Sequence, residues 1–464
     1  MLAVSVAVGM FALAGSRVST SAQTPLSSTC KVYKLDEALS EGALVPAMPP
    51  PCAPSVSPGG APGTDPLDNL QHGFDLYSWL TFAALNSPAD GTTRIGDGPG
   101  PTVWETYKQL ADVMLEGGAR PKDWVEGRIQ AEMPAECPKS DIPRTMVIHM
   151  EEETFNQPFK SGPLIDQNGN YALFDILMNK EMFRYIVDNN LYSREGQQNF
   201  ARDVDFPTGA NGAGEPRKLP VGLGAVMVKV SWKVLAGKDD PGKFHTINGL
   251  VYTPGKDGRP ASCVSKPLGL VGFHVAHKVA NAPQWVWTTF EHVANVPEAQ
   301  SADERRAPHS FYDPACTETK CPVNVTPPFP WEPAREPFPG GFKSQIVRTT
   351  GLTQDAKKIN DAARAVPGIQ GSVWANYMLV STQWPSDFAC ATSLQPSAKP
   401  DPTCSPAPVF LPNATLETYS QGSVPLASST CIGCHNNATT HRNPARASDF
   451  TYILEKARSL AAPQ

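Results

Sequence analysis

The stretch that most constrains the fold is residues 268–292, LGLVGFHVAHKVANAPQWVWTTFEH. Apolar residues alternate along both of its halves, residues 268–279 and 284–292, and many of them are β-branched or aromatic. This alternation predicts half-buried strands, because successive side chains of a strand point to opposite faces of a sheet. Residues 224–235 show the same pattern, with valine or tryptophan at alternate positions from 226 to 232. The three runs predict an antiparallel sheet.

Shorter patterns around these runs predict the remaining elements. Helical spacing of apolar residues, or a capping residue, indicates helices over residues 72–86, 106–115, 179–191 and 353–365. Asn179 and Thr353 are the expected caps of the last two helices. The other predicted elements are a hairpin over residues 165–177 that turns at Asn168-Gly169, and a strand within residues 372–384.

Composition limits the class of fold. The 464 residues include 47 prolines, about twice the usual share, and 36 glycines. Proline removes a backbone donor and ends helices, so a chain made mostly of long helices is excluded. With 41% apolar and 18% charged residues, the chain can bury a core, which excludes a wholly disordered chain. We expect an α+β fold, a strand- and loop-rich large domain with a short C-terminal helical segment packed against it.

The chain divides into four predicted regions. Residues 1–22 are typical of a secretory signal peptide, with an apolar run and small residues before Gln23, although no lysine or arginine precedes the run. Residues 23–68 form a proline-rich arm, residues 69–412 the large domain, and residues 413–464 a segment with the motif described below. The signal segment leads us to expect a periplasmic protein. Since no later apolar run approaches about 20 residues, we expect no transmembrane span in the mature chain.

Ten cysteines agree with an oxidising compartment. Two belong to the motif below, and the other eight could form up to four disulfides. The expected pairs are Cys316–Cys321 and Cys390–Cys404, which bracket turn-rich segments, Cys30–Cys52 at the arm, and Cys137–Cys263 as the pair that remains.

The sequence Cys431-Ile432-Gly433-Cys434-His435 has the C-x-x-C-H spacing of c-type haem attachment. Two thiols separated by two residues can form thioethers with the two vinyl groups of one haem, and the adjacent histidine then supplies an axial nitrogen. We therefore expect one covalent haem c held by Cys431, Cys434 and His435, with His435 as the iron ligand. Covalent attachment of haem c takes place outside the cytoplasm, which agrees with the predicted signal peptide.

Three other uses of the two thiols stay open. A thioredoxin-like site would need a βαβ unit around the motif, whereas residues 422–430 are a polar stretch. A structural zinc site would need a further ligand, for which His441 could serve, although its pairing with His435 gives an unusual arrangement of two cysteines and two histidines. The third alternative is a disulfide between Cys431 and Cys434.

The motif resembles that of the c-type cytochromes, with the match confined to the haem segment. More narrowly, the chain is similar to a group of large, exported, bacterial monohaem proteins of the cytochrome c family. The stretches that carry this resemblance are residues 269–278, residues 284–293, and the haem motif together with Ser448-Asp449-Phe450. The resemblance implies haem and an exported location, and it implies no particular substrate.

An ordinary cytochrome c supplies a methionine downstream of the motif as second axial ligand, but no methionine follows His435 here. His441 is six residues beyond His435, and a link of at most about 20 Å leaves no slack for reaching the other side of a porphyrin. We expect a helix over residues 449–460, capped by Ser448, which leaves the rest of the pocket to the large domain. The candidates for a sixth ligand are Met378, His274, His277, His292 or none.

These patterns lead to a functional expectation. The chain is expected to be an exported monohaem c-type cytochrome that transfers single electrons to or from a redox partner protein. The size of the large domain keeps a second reading open, a haem-dependent oxidoreductase with an open iron site that acts on peroxide, oxygen or a small organic substrate. A third hypothesis is a haem-based sensor or a scaffold for a membrane oxidoreductase. The net charge of −6 leaves no basic excess, so we do not expect nucleic acid as a partner.

Overall fold

The structure is a computed structural model that describes residues 49–54, 66–90, 95, 100–126, 129, 132–138, 146–209, 223–256, 258–280, 282–331, 339–385, 406–421 and 430–461. The strands are Lys108–Gln109 (β1), Val147–His149 (β2), Leu173–Met178 (β3), Val226–Val234 (β4), Thr246–Thr253 (β5), Ser262–Val279 (β6), Ala282–His292 (β7), Tyr377–Pro385 (β8) and Pro406–Ala407 (β9). The α-helices are Pro66–Leu85 (α1), Glu152–Phe155 (α2), Lys180–Asp188 (α3), Arg194–Asn199 (α4), Gln354–Arg364 (α5) and Cys431–His435 (α6). Short 3₁₀ turns include Trp104–Thr106, Leu110–Asp112, Val373–Asn376, Thr418–Ser420 and Tyr452–Lys456.

Within these ranges the strands form one sheet in the order β1-β3-β4-β6-β7-β8-β9, with β5 beside β6 and β2 beside β5. Neighbouring strands are antiparallel except β2 and β5, which are parallel. The 18 residues of β6 have different partners along their length, because residues 262–269 pair with β5 and residues 268–277 pair with β4. The predicted strand-rich domain is confirmed, and the three alternating runs lie side by side as β4, β6 and β7.

Helices α1 and α5 cover one side of the sheet, which we call the helix face and define by Phe273 and Phe290. The ring of Phe82 in α1 stacks on Phe290 at 4.2 Å and meets Phe273 edge-on at 5.6 Å. Helix α1 is joined to α5 by the indole of Trp79, which donates to a side-chain oxygen. Buried aromatic pairs of this kind stabilise the fold by more than the apolar area that they remove from water accounts for.

The opposite side, which we call the terminal face and define by Ala276 and Trp287, carries helix α3 and residues 430–461. Ile432, Phe450 and Leu454 are buried there against the sheet. The C-terminal segment therefore shares a hydrophobic core with the large domain.

Local capping predictions are confirmed. The side chain of Asn179 accepts from the backbone N–H of Met182 at 3.1 Å, and Thr353 accepts from Ala356 at 3.1 Å. The expected turn at Asn168-Gly169 also forms, although the strand that follows begins at residue 173 and pairs with β4. The strand predicted within residues 372–384 begins later, after the turn Val373–Asn376.

Two predicted helices are wrong. Residues 106–115 form strand β1 and a 3₁₀ turn, because Lys108 and Gln109 pair with β3. Residues 449–460, expected to form a helix, contain only the 3₁₀ turn Tyr452–Lys456, capped by Thr451 and not by Ser448. Asp449 and Phe450 have φ angles of +52° and +60°, a left-handed conformation that an α-helix does not contain.

Two expected disulfides, Cys137–Cys263 and Cys316–Cys321, are present. Cys52 is also disulfide-bonded, while its predicted partner Cys30, the pair Cys390–Cys404 and the signal segment lie outside the described residues. Within the described ranges, no helix is both long enough and apolar enough to cross a membrane.

Candidate functional site

The motif forms the short helix α6 on the terminal face. Its N-cap residue Thr430 donates a side-chain hydrogen bond to Oε1 of Gln383 in β8 at 3.0 Å. The same oxygen accepts from the backbone N–H of Ile432 at 2.9 Å. Because the side chain of Ile432 is also buried, two hydrogen bonds and one apolar contact hold this helix against the sheet.

The ring of His435 is oriented by a backbone group. Its Nδ1 lies 2.8 Å from the carbonyl oxygen of Phe450, and since a carbonyl only accepts, Nδ1 carries the proton. The lone pair is then on Nε2, which makes no hydrogen bond within the described part of the chain. The ring also contacts Trp287, with centroids 4.6 Å apart, and Tyr452. Burial lowers the pKa of His435 to about 4, so that the imidazole is neutral, the form that binds metals.

A buried ion pair holds the turn that supplies this carbonyl. Nζ of Lys278 lies 2.7 Å from Oδ2 of Asp449, and both side chains are fully buried. The backbone N–H of Phe206 donates to the same Oδ2, and the indole of Trp285 donates to the backbone oxygen of Asp449 at 2.8 Å. Residues of all three stretches that carry the resemblance therefore meet beside His435.

The two thiols of the motif are not bonded to each other. Burial raises the pKa of Cys434 to about 11 and that of Cys431 well above its usual value. A redox dithiol depends on a stabilised thiolate, so these surroundings disfavour a thioredoxin-like site. His441 points elsewhere, because its Nε2 donates to the carbonyl of Glu455 at 2.8 Å. Across the described ranges, no group of three or more His, Cys, Asp or Glu side chains is arranged to hold a metal ion.

The structure separates the four candidates for a sixth ligand. His277 lies on the helix face, where its Nδ1 is 2.5 Å from the hydroxyl of Tyr77. Both ring nitrogens of His292 are engaged, with Lys243 and Ala294. His277 does not share a face with His435, and both nitrogens of His292 are occupied, so the structure favours neither histidine as the sixth ligand.

Two candidates lie on the terminal face. Met378 is five residues from Gln383 along β8, roughly 16 Å from the point where the motif helix is attached. His274 lies nearer, because β6 pairs it with Thr289, two residues from Trp287. His274 and His277 are three residues apart on β6 and therefore face opposite sides of the sheet.

His274 belongs to a charged cluster that we call the β6 cluster, comprising Lys229, His274 and Glu417. Lys229 is the direct cross-strand partner of His274, and both carboxylate oxygens of Glu417 lie 3.0 Å from Nε2 of His274. Burial alone would raise the pKa of Glu417, but His274 and Lys229 hold it below its usual value. All three members of the cluster affect the pKa of His435 electrostatically, which places them near the motif.

Comparisons of the chain with models of protein families, with curated proteins and with solved structures found no match.

Sequence reasoning missed Lys229 and Glu417. Lys229 is a charged residue within the mostly apolar run of β4, at a position between the alternating apolar residues. A charge at such a position is a signal that could have identified it. Glu417 carries no local signal, because its partner His274 is 143 residues away.

Proposed function

We propose that this chain is an exported, periplasmic, monohaem c-type cytochrome. In this proposal the thiols of Cys431 and Cys434 hold one haem c covalently, and Nε2 of His435 is the axial ligand of its iron. The observation that carries the proposal is the hydrogen bond from Nδ1 of His435 to Phe450, which orients the ring and leaves a lone pair on Nε2. Metal-binding histidines are commonly oriented by such a second hydrogen bond.

The donor set fits the group. The two cysteines are free of disulfides, they are separated by one helical turn, and His435 follows directly. The haem would supply a one-electron couple. The large domain would exclude water and set the potential through burial and through the hydrogen bond of the proximal histidine, and its surface would dock a redox partner protein.

Covalent attachment is the direct test. Protein recovered from the periplasm should retain haem after acidic acetone extraction, and the reduced pyridine adduct should give a c-type spectrum. The variant C431S/C434S should lose covalent haem. Extraction of the haem from the wild type, or covalent haem in the double variant, would refute the proposal.

A second candidate function is a haem-dependent oxidoreductase with an open iron site, acting on peroxide, oxygen or a small organic substrate. The β6 cluster favours it, because a pure electron carrier has no need for a carboxylate, an imidazole and an ammonium group beside the motif. Rapid binding of carbon monoxide to the ferrous protein would favour this candidate over the carrier.

A further inference from the structure

Positions along the terminal face can be ordered, because β6 and β7 pair residue by residue. Successive rows on one face are two residues apart, which corresponds to about 7 Å. The three consecutive rows are Lys278 with Trp285, Ala276 with Trp287, and His274 with Thr289.

The ring of His435 lies over the middle row, where it contacts Trp287. Its Nδ1 is bonded to Phe450, and the adjacent Asp449 is held by both members of the first row, Lys278 and Trp285. The nitrogens Nδ1 and Nε2 lie on widely separated sides of an imidazole. Nδ1 is directed towards Phe450, beside the first row, and on the other side of the middle row lies the third row, which carries His274.

The third row carries the β6 cluster. His274 retains 15% and Glu417 22% of their side-chain exposure, so these polar groups border open space and are not sealed in the core. Nε2 of His274 is already engaged by both oxygens of Glu417 at 3.0 Å, which competes with any bond from this nitrogen to iron. Nζ of Lys229, 5.6 Å above the ring of Phe174, adds a positive charge.

We propose that the β6 cluster is a binding site for a small anionic ligand on the side of the haem opposite His435, and that His274 is held by Glu417 as a hydrogen-bonding group and is not the sixth iron ligand. The proposal rests on the proposed haem c. Its ligand class includes cyanide, azide and the deprotonated form of hydrogen peroxide. Nζ of Lys229 and Nδ1 of His274, the ring nitrogen that Glu417 does not engage, would stabilise the negative charge, and Glu417 would orient the imidazole.

Cyanide is the probe. The pyridine adduct of the purified full-length protein first establishes whether haem c is present. The ferric wild type should be high-spin and should convert to a low-spin complex on cyanide titration. H274A and K229M should keep stoichiometric haem and a high-spin spectrum but bind cyanide about tenfold more weakly, the effect of losing one charge-assisted hydrogen bond. The surface variant H309A is the control and should match the wild type.

Several results would overturn this inference while leaving covalent haem intact. One is a low-spin wild type that H274A converts to high-spin, which would make His274 the ligand. Another is a wild type that does not bind cyanide. A third is cyanide affinity unchanged within about twofold in H274A, K229M and E417Q, which would show that the cluster does not face the sixth position. Absence of c-type haem would refute the proposed function as well.

Discussion

Gln383 in β8 accepts a hydrogen bond from the backbone N–H of Ile432, with 2.9 Å between the two heavy atoms. This contact joins the strand next to β7 to the second residue of the C-x-x-C-H motif. The motif helix has only five residues and would be unstable in isolation, because helix nucleation is costly. Its position is therefore set by the sheet, and the thiols and His435 follow from that position.

Replacing Gln383 by leucine should lower the free energy of unfolding by about 1–3 kcal/mol, since the buried N–H of Ile432 loses its acceptor. Urea unfolding of the purified variant measures this change. The exposed Gln370 offers a control, and Q370L should be within about 0.5 kcal/mol of the wild type. Equal stabilities of Q383L and Q370L would contradict the anchoring role.

The pair between Lys278 and Asp449 should show strong coupling. K278M leaves a buried carboxylate without its cation and should cost about 3–5 kcal/mol in urea unfolding. The double variant K278M/D449N should cost less than the sum of the single changes, because asparagine removes the charge and tolerates the left-handed conformation at position 449. Strict additivity would show that the two residues act independently.

Removing the disulfide Cys137–Cys263 should destabilise the oxidised protein more than removing Cys316–Cys321. The first pair closes a loop of sequence separation 126 and the second a loop of separation 5, and a longer loop restricts the unfolded chain more. We expect about 2–5 kcal/mol for C137S/C263S and a smaller loss for C316S/C321S. Unfolding by urea without reductant compares the two variants, and the reverse order would contradict the expectation.

Asp75 in helix α1 should make stability depend on pH. Burial raises the pKa of Asp75 from 3.8 to about 7, while its Oδ1 accepts from the backbone N–H of Thr382 at 2.9 Å. The folded state holds this proton more tightly than the unfolded chain. The contribution of Asp75 to the free energy of unfolding therefore falls as pH rises from about 4 to about 7.

D75N keeps the accepting oxygen and removes the charge. Its free energy of unfolding relative to the wild type should rise between pH 4 and pH 8, by at most about 4 kcal/mol. Urea unfolding at several pH values gives this difference. The exposed Asp123 is the control, and the change of this difference with pH should be larger for D75N than for D123N. A difference for D75N that does not change with pH would contradict the pKa shift.

The local features of this protein are determined by sequence alone, because they depend on residues a few positions apart. Alternating apolar residues specify β4, β6 and β7 through the two-residue period of a strand, and Asn179 and Thr353 cap helices by reaching amides three residues ahead. The spacing of Cys431, Cys434 and His435 is local for the same reason.

The tertiary structure decided which residues distant in sequence contact each other and on which face of the sheet each one lies. The odd spacing of His274 and His277 predicts that they face opposite sides of a strand, but only pairing with β4 and β7 places His274 on the terminal face and His277 on the helix face. The left-handed turn at Asp449 is held by Lys278, 171 residues away, so helix propensity in that segment is overridden. Contacts between residues distant in sequence depend on the whole sheet, and a single local stretch does not encode them.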